Sequence, residues 1–222
     1  MTHDSLTIIR HEHRALSAML RSITLLLREH RRHGTLPDFD ALQAMLFYVD
    51  EFPEKLHHPK ESLLLFPKLR GRSAQTDAVL DRLEREHAHG GFAIRELEHA
   101  LLGFLAMSGT AQCEMRRDKY EQLMRHYADF YLAHMHVEET QILPLAESVL
   151  SDGEWAELDA AFCMNRDPLA GHEADDAYKP LFRTIVTALH GCGNVGSVLE
   201  AFAGTALPVY AGDAPAPRRP RP

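Results

Sequence analysis

The chain has 222 residues, 45% of them hydrophobic, and a formal net charge of −8. This length supports one main buried core with appendages, and the scattering of lysine and arginine among acidic residues excludes a basic face for nucleic acid. No apolar run approaches the roughly 18 residues that span a bilayer and no signal-peptide pattern opens the chain, so we expect a cytoplasmic protein without membrane or nucleic-acid partners.

The first predicted helix has a core-facing stripe that includes a histidine. Its apolar residues recur in steps of three and four, with one gap that His13 fills: Leu6, Ile9, Leu16, Leu20, Ile23 and Leu27. This spacing is typical of an amphipathic helix with one buried face. In the loop that follows, Gly34 and Pro37 end the helix and Asp38 is placed to cap the next one.

The second helical stretch, from about Asp38 to Leu69, is interrupted by three prolines. Pro53, Pro59 and Pro67 each remove a backbone N–H donor. Because proline in a helix interior also clashes with the preceding turn, we expect a kink or a break in this stretch.

The third and fourth predicted helices repeat the pattern of the first. The stripe of the third runs from Leu80 to Phe104 and includes His87, and the stripe of the fourth includes His134. Pro144 falls in the last turns of the fourth helix. A histidine therefore occupies a core position in each of these helices.

The rest of the chain predicts accessory structure. Ser151 and Glu154 have capping-box spacing for a short fifth helix, and residues Glu173 to His190 can form a sixth. We therefore expect an all-α, up-and-down four-helix bundle over residues 1–150 and accessory helices packed on it over 151–208. Residues 209–222, rich in proline, are expected to form a disordered tail.

Two segments share a histidine–glutamate cassette. His57 and Glu61 lie four residues apart, as do His134 and Glu138, and a proline follows each glutamate after six residues. On a helix, such a pair presents an imidazole and a carboxylate to a common point. The three cysteines are far apart and form no CxxC pair, so we expect free or buried thiols and no thiolate ligands.

The cassettes belong to a longer internal repeat. His13 precedes His57 by 44 residues and His87 precedes His134 by 47, with a glutamate just before both His13 and His87. Two such hairpins, packed with pseudo-twofold symmetry, bring four histidines and two glutamates to one level of the core. Burying two ionised glutamates without compensation costs on the order of several kcal/mol each. This favours bound metal over hydrogen-bonded core histidines, with iron, manganese and zinc suited to these ligands.

These residues resemble the hemerythrin-like HHE cation-binding domain. The resemblance rests on the two Glu-His pairs, on HHPKE at 57–61 with LLLFP after it, and on HMHVEE at 134–139 with ILP after it, and covers roughly residues 6–150. It implies a four-helix bundle with two irons bridged by an oxo or hydroxo group and by two carboxylates. The implied terminal ligands are His13, His57, His87 and His134, and the implied bridges are Glu61 and Glu138.

One position departs from the oxygen-carrying hemerythrins. They have a second histidine one turn after the one that matches His87, and here that position is Gly91. We favour His58 as a seventh ligand that turns toward the second metal, as a carboxylate at that place does in the iron-sensing hemerythrin domain of an F-box ubiquitin-ligase subunit. In the alternative, water or a gas ligand occupies the position beside Gly90 and Gly91.

The sequence thus predicts a non-haem di-iron protein that senses or handles iron, oxygen or nitric oxide. Its expected partners are metal ions and small diatomic ligands, and manganese or zinc could replace iron. Two other classes stay open, namely a di-iron enzyme that scavenges peroxide or nitric oxide or repairs metal centres, and a metal-stabilised structural bundle. A proton donor beside the metals would favour an enzyme, and the sequence identifies none.

Overall fold

The structure, a computed structural model, describes residues 3–172 and 175–191. Over these two ranges all regular elements are helical and no strand is present, which confirms the all-α class. The helices pack as a bundle around a buried core. Among the helices of the described ranges, none combines the length with the hydropathy that a bilayer-spanning helix requires.

Four long helical stretches form the bundle. Helix α1 is Asp4–Arg32, helix α2 covers residues 39–69, helix α3 is Ala74–Ala106 and helix α4 covers residues 113–149. Within α2, α-helical Phe39–Val49, His58–Lys60 and Phe66–Leu69 alternate with π-helical Asp50–His57 and Glu61–Leu65. Within α4, π-helical Glu138–Ile142 separates α-helical Cys113–Val137 from Leu143–Val149. Two further helices, α5 (Asp152–Phe162) and α6 (Lys179–Gly191), and a 3-10 turn, Pro168–Ala170, follow.

The ends of the helices follow from local chemistry. The Asp38 carboxylate accepts a hydrogen bond from the Ala41 N–H at 3.0 Å and so caps α2, as the sequence predicts. Ser151 and Glu154 form the complete capping box at the start of α5. Gly34, just beyond α1, has φ +63°, a left-handed conformation that costs other residues energy.

Of the kink or break expected at the prolines of α2, no break is present, because helical structure continues from residue 39 to residue 69. His58 keeps helical angles (φ −55°, ψ −39°) although Pro59 follows it. The reason lies in the wider turns before the prolines: the N–H of Phe66 bonds to the carbonyl of Glu61, five residues back, immediately before Pro67. A π-turn makes room for the proline ring without ending the helix. Leu143 bonds to Glu138 in the same way before Pro144.

A polar layer divides the core into two apolar clusters. The larger cluster includes Leu20, Tyr48, Phe104 and Tyr120, and extends to Phe182 and Ile185 of α6. The smaller cluster includes Leu6 and Phe66, together with Trp155 and Phe162 of α5. On each of α1 to α4, the residues between the two clusters are the histidines and glutamates of the internal repeat.

The C-terminal helices lie against the bundle. Trp155 of α5 is buried and stacks on His3, with ring centroids 4.2 Å apart. Helix α6 begins at Lys179, later than the predicted Glu173, and residues 173–174 lie outside the described ranges. The predicted tail over 209–222 also lies outside them. The up-and-down order of the helices and the division at residues 150 and 208 stay predictions.

Candidate metal centre

The polar layer brings together all seven side chains predicted as ligands. Each side chain is at most 6% exposed: His13, His57, His58, Glu61, His87, His134 and Glu138. Their donor atoms form three groups, in each of which the atoms lie within 4.8 Å of one another. Four separate helices thus present nitrogen and oxygen donors to one small volume.

One half of the layer is built by α1 and α2. The Nε2 atoms of His13 and His57 lie 3.1 Å apart. An oxygen of Glu138 lies 3.3 Å from the Nε2 of His13, and an oxygen of Glu61 lies 3.3 Å from the Nε2 of His57.

The other half is built mainly by α3 and α4. The Nε2 atoms of His87 and His134 lie 2.9 Å apart. The second oxygen of Glu138 lies 3.1 Å from the Nε2 of His134, and Glu61 Oε2 lies 3.6 Å from the Nε2 of His87. Each carboxylate therefore faces both pairs of histidines, as a group that bridges two cations must.

The donor set fits metal cations better than it fits hydrogen bonding. None of the four oxygens of Glu61 and Glu138 accepts a well-aligned hydrogen bond from the described residues, although all four are buried. Buried carboxylates without compensation are strongly unfavourable. In addition, two nitrogens about 2.1 Å from one ion and about 90° apart lie about 3.0 Å from each other, close to both Nε2–Nε2 distances. Two cations in the layer would compensate all four oxygens.

Two of the histidines are oriented by glutamates from the preceding helix. Glu12 lies 2.6 Å from the Nδ1 of His57, and Glu86 lies 2.8 Å from the Nδ1 of His134. A carboxylate on Nδ1 fixes the proton there and leaves Nε2 free for a metal. Sequence analysis noted both glutamates as part of the repeat but missed this role. The signal was available, since each is the residue before a ligand histidine.

The other two histidines of the repeat contact the residue that follows Glu138 or Glu61. Glu139 lies 3.1 Å from the Nδ1 of His13, and Ser62 lies 2.8 Å from the Nδ1 of His87. The positions are equivalent in the two hairpins, but one provides a charged carboxylate and the other a neutral hydroxyl. The two halves of the layer therefore differ electrostatically.

His58 joins the half that contains His87 and His134. Its ring stacks on that of His87, with centroids 4.4 Å apart and planes 14° apart. Its donor atom lies within 4.8 Å of those of His87 and His134. Glu54 lies 3.3 Å from the Nδ1 of His58, and the hydroxyl of Tyr131 donates to Glu54 at 2.5 Å.

The two adjacent glycines, Gly90 and Gly91, differ in which of them points toward the core. A Cβ on Gly91 would meet the guanidinium of Arg95 at 3.7 Å, whereas a Cβ on Gly90 would lie 1.8 Å from the Tyr131 hydroxyl. Gly90 is buried and Gly91 is partly exposed. A Cβ on Gly91 would therefore contact none of the candidate ligands. The direction toward the core belongs to Gly90, where Glu54 and Tyr131 fill the space.

The electrostatics of the layer depend on its crowded charges. Burial lowers the pKa of His57, but Glu61 and Glu12 outweigh burial and raise that pKa well above its usual range. Burial also lowers the pKa of His134, but Glu138 outweighs burial and raises that pKa to about 9. Burial and the neighbouring His87 instead lower the pKa of His58 well below its usual range. His58 is thus a neutral imidazole at physiological pH, as a metal ligand must be.

The segment after α5 adds two buried polar residues to the layer. The amide of Asn165 donates to Glu12 at 3.0 Å, and Asp167 lines a small cavity together with His13 and His57. Nothing in the sequence pattern indicated either residue, because both lie in an irregular segment without helical periodicity.

The comparisons with known proteins agree with this geometry. The sequence model described as the hemerythrin HHE cation binding domain matches residues 4–146. The match includes all seven candidate ligands and ends before α5, so Asn165 and Asp167 lie outside it. No curated protein and no solved structure matches the chain.

Proposed function

Because the chain belongs to the hemerythrin HHE cation-binding family, we propose that it is a non-haem di-iron protein that handles oxygen, peroxide or nitric oxide. The observation that carries the proposal is the set of four buried carboxylate oxygens of Glu61 and Glu138, none of which accepts a well-aligned hydrogen bond from the described residues. Two cations between the histidine pairs would neutralise them. A cytoplasmic location stays a prediction from the sequence.

The two ions have different ligands in this proposal. His13 and His57 would hold the first ion, while His87, His134 and His58 would hold the second. Glu61 and Glu138 each face both histidine pairs and would be shared by the two ions. The first ion would have one imidazole fewer, which would leave room for an external ligand or for an oxo or hydroxo group. The cavity beside His13 and His57 supports the assignment of this open position to the first ion.

The chemistry of the donors favours iron. All seven donors are imidazole nitrogens or carboxylate oxygens, and these suit iron, manganese and zinc, whereas thiolates would favour softer metals. When bound, an iron pair supplies electrons to oxygen or peroxide. The residues of the chain hold the ions, fix the orientation of each imidazole through its Nδ1 contact, and exclude bulk water by burial. Manganese or zinc is the alternative occupant.

An enzyme is the second candidate, and Asp167 is the observation that favours it. A di-iron enzyme that reduces peroxide needs a proton donor beside the metals, and Asp167 is a buried carboxyl group that lines the same cavity as His13 and His57. A purely structural metal site needs neither a cavity nor a proton donor.

Metal analysis of matched variants tests the proposal. We expect about two irons per chain in protein made in iron-rich medium, and the loss of at least one ion in Glu138→Ala, which removes a bridge. The control is Glu147→Ala, since Glu147 lies on the same helix but is 46% exposed and pairs with Arg10. Trace metal in the wild type, or equal metal content in both variants, would contradict the assignment.

A further inference from the structure

Residues 163–170 form a polar cover over one side of the metal centre. Residues 163–167 connect α5 to the 3-10 turn, Pro168–Ala170, and the turn packs against α1. Asn165 is 1% exposed and donates to Glu12, which in turn lies 2.6 Å from the Nδ1 of His57. The segment is therefore coupled to the ligands of the first ion, although it lies outside the residues that the family model matches.

Asp167 is the buried acidic group of this cover. It is 3% exposed, and its carboxyl group accepts hydrogen bonds from the Tyr48 hydroxyl at 2.7 Å and from the Leu169 N–H at 2.9 Å. Both donors are neutral. Each carboxyl oxygen accepts one of these bonds, so each retains a lone-pair position that can carry a proton.

Asp167 lines a cavity of about 10 Å³. This is about the room that one water molecule or the end of a small ligand requires. Apolar groups of Leu16, Phe52 and Pro53 form part of its wall, and His13, His57 and Glu12 form the polar part. A ligand at the first ion would therefore lie between imidazoles on one side and Asp167 on the other.

The surroundings of Asp167 favour its neutral form. Burial and the charge of Glu12 raise its pKa to about 7, against the opposing effects of the Tyr48 and Leu169 hydrogen bonds and of His57. The groups that face it are Tyr48 and His57 of α2 and Glu12 and His13 of α1. A substantial fraction of Asp167 therefore carries a proton at neutral pH.

We propose that Asp167 is the proton donor for a small anionic ligand, such as hydroperoxide, that binds in this cavity to the first ion. This inference rests on the proposed function and extends it. In the transfer, the O–H bond of the carboxyl group breaks and a new O–H bond forms on the ligand, so the negative charge moves to Asp167. Tyr48 and Leu169 stabilise the resulting carboxylate, and a proton from bulk solvent, carried by water that enters as the ligand leaves, restores the carboxylic acid.

A structural role for Asp167 would make a different prediction. The residue also caps the turn at Pro168–Ala170 and binds the Tyr48 hydroxyl. Asparagine has nearly the same shape and can keep both contacts, because its carbonyl accepts from Leu169 and its amide can donate to the Tyr48 oxygen. The Asp167→Asn variant thus retains the structural role but cannot titrate.

Azide titration of the iron-loaded, oxidised protein tests the proposal. Azide stays anionic from pH 6 to 8.5, and its binding to ferric iron is followed by optical absorption. Ionisation of Asp167 would repel the anion and remove its proton donor, so we expect the affinity of the wild type, relative to that of Asp167→Asn, to fall about tenfold per pH unit above pH 7. Hydroxide binding to the iron affects both proteins equally, so its effect cancels in the ratio of their azide affinities. The exposed Asp129→Asn should match the wild type.

A second variant keeps Asp167 and therefore tests the proposal even if Asp167→Asn does not fold. Tyr48→Phe removes a hydrogen bond to the carboxylate, which should shift the midpoint of the pH profile upward. Identical profiles in wild type and Asp167→Asn, or an unshifted midpoint in Tyr48→Phe, would overturn the proposal. If azide does not bind, the iron content of the same sample shows which proposal fails. Two irons per chain without azide binding would refute the ligand cavity. The absence of iron would refute the proposed function.

Discussion

At the scale of single residues, the main distinction lies between side chains that can hold a metal and side chains that orient those ligands. Glu12 and Glu138 are both buried glutamates, but only Glu12 makes conventional hydrogen bonds, with His57 and Asn165. Glu138 instead faces three histidine Nε2 atoms at 3.1 to 3.5 Å. Residues of the same type thus have different functions because their contacts differ.

Replacement of Glu12 tests the orienting role. Glu12→Ala leaves the Nδ1 of His57 without its carboxylate, so the ring can rotate or change tautomer. We expect metal affinity to fall about 10- to 100-fold, as is usual when such a partner is lost, with the ions still able to bind at high concentration. Competition with a chelator measures the affinity. Glu96→Ala, at an exposed site on α3, is the control, and an equal affinity in both variants would contradict the role.

At the scale of helices, the half of the polar layer that contains His87 and His134 depends on the close approach of α2 and α4 to α3. Gly90 allows this approach, since a Cβ there would lie 1.8 Å from the Tyr131 hydroxyl and 2.6 Å from Glu54. The Tyr131–Glu54–His58 chain of contacts then connects α4 to the histidine that we propose as the seventh ligand.

Alanine at two adjacent glycines separates this packing effect from helix propensity. We expect Gly90→Ala to lower the free energy of unfolding by about 1–3 kcal/mol, because the methyl group displaces Tyr131 or Glu54. Gly91→Ala would make only an ordinary van der Waals contact with Arg95, and should instead raise it by about 0.5–1 kcal/mol, since alanine favours the helix. Urea denaturation of both variants measures the difference. Equal effects at the two positions would show that α3 does not approach its neighbours so closely.

The helices also show how far the sequence could predict the structure. Helical periodicity identified the four long helices and put His13, His87 and His134 in core stripes, because those signals are local. The π-turns before Pro67 and Pro144 were missed, since sequence rules treat a proline as a helix breaker. Asn165 and Asp167 could not be predicted at all. They reach the centre through tertiary packing of an irregular segment, and no local pattern encodes that placement.

At the scale of the whole molecule, the charged layer separates two apolar clusters, so its protonation affects the entire fold. In the metal-free protein, neighbouring carboxylates raise the pKa values of His13, His57 and His134 against the effect of burial. A raised histidine pKa contributes stability below the unfolded pKa of about 6.5, and this contribution is lost as the pH rises through the folded value. For His134 that value is about 9.

Metal binding should therefore release protons. A metal ion binds the neutral imidazole, so ions that enter at pH 7.5 must displace protons from the raised histidines. We expect acidification of a weakly buffered solution when ferrous iron is added anaerobically, and an apparent affinity that rises with pH. His58 should contribute no proton, because its pKa is lowered. A pH-indicator dye measures the release, and uptake of metal without acidification would contradict these protonation states.

The central claim is that four helices hold two irons bridged by Glu61 and Glu138. Mössbauer spectroscopy of the protein loaded with iron-57 and oxidised in air tests this most directly, because two ferric ions joined by an oxo bridge couple to a diamagnetic ground state. We predict about two irons per chain and a quadrupole doublet. In an applied magnetic field, this doublet should show only the splitting that the applied field itself produces. A magnetically split spectrum of isolated high-spin ferric ions would contradict the claim.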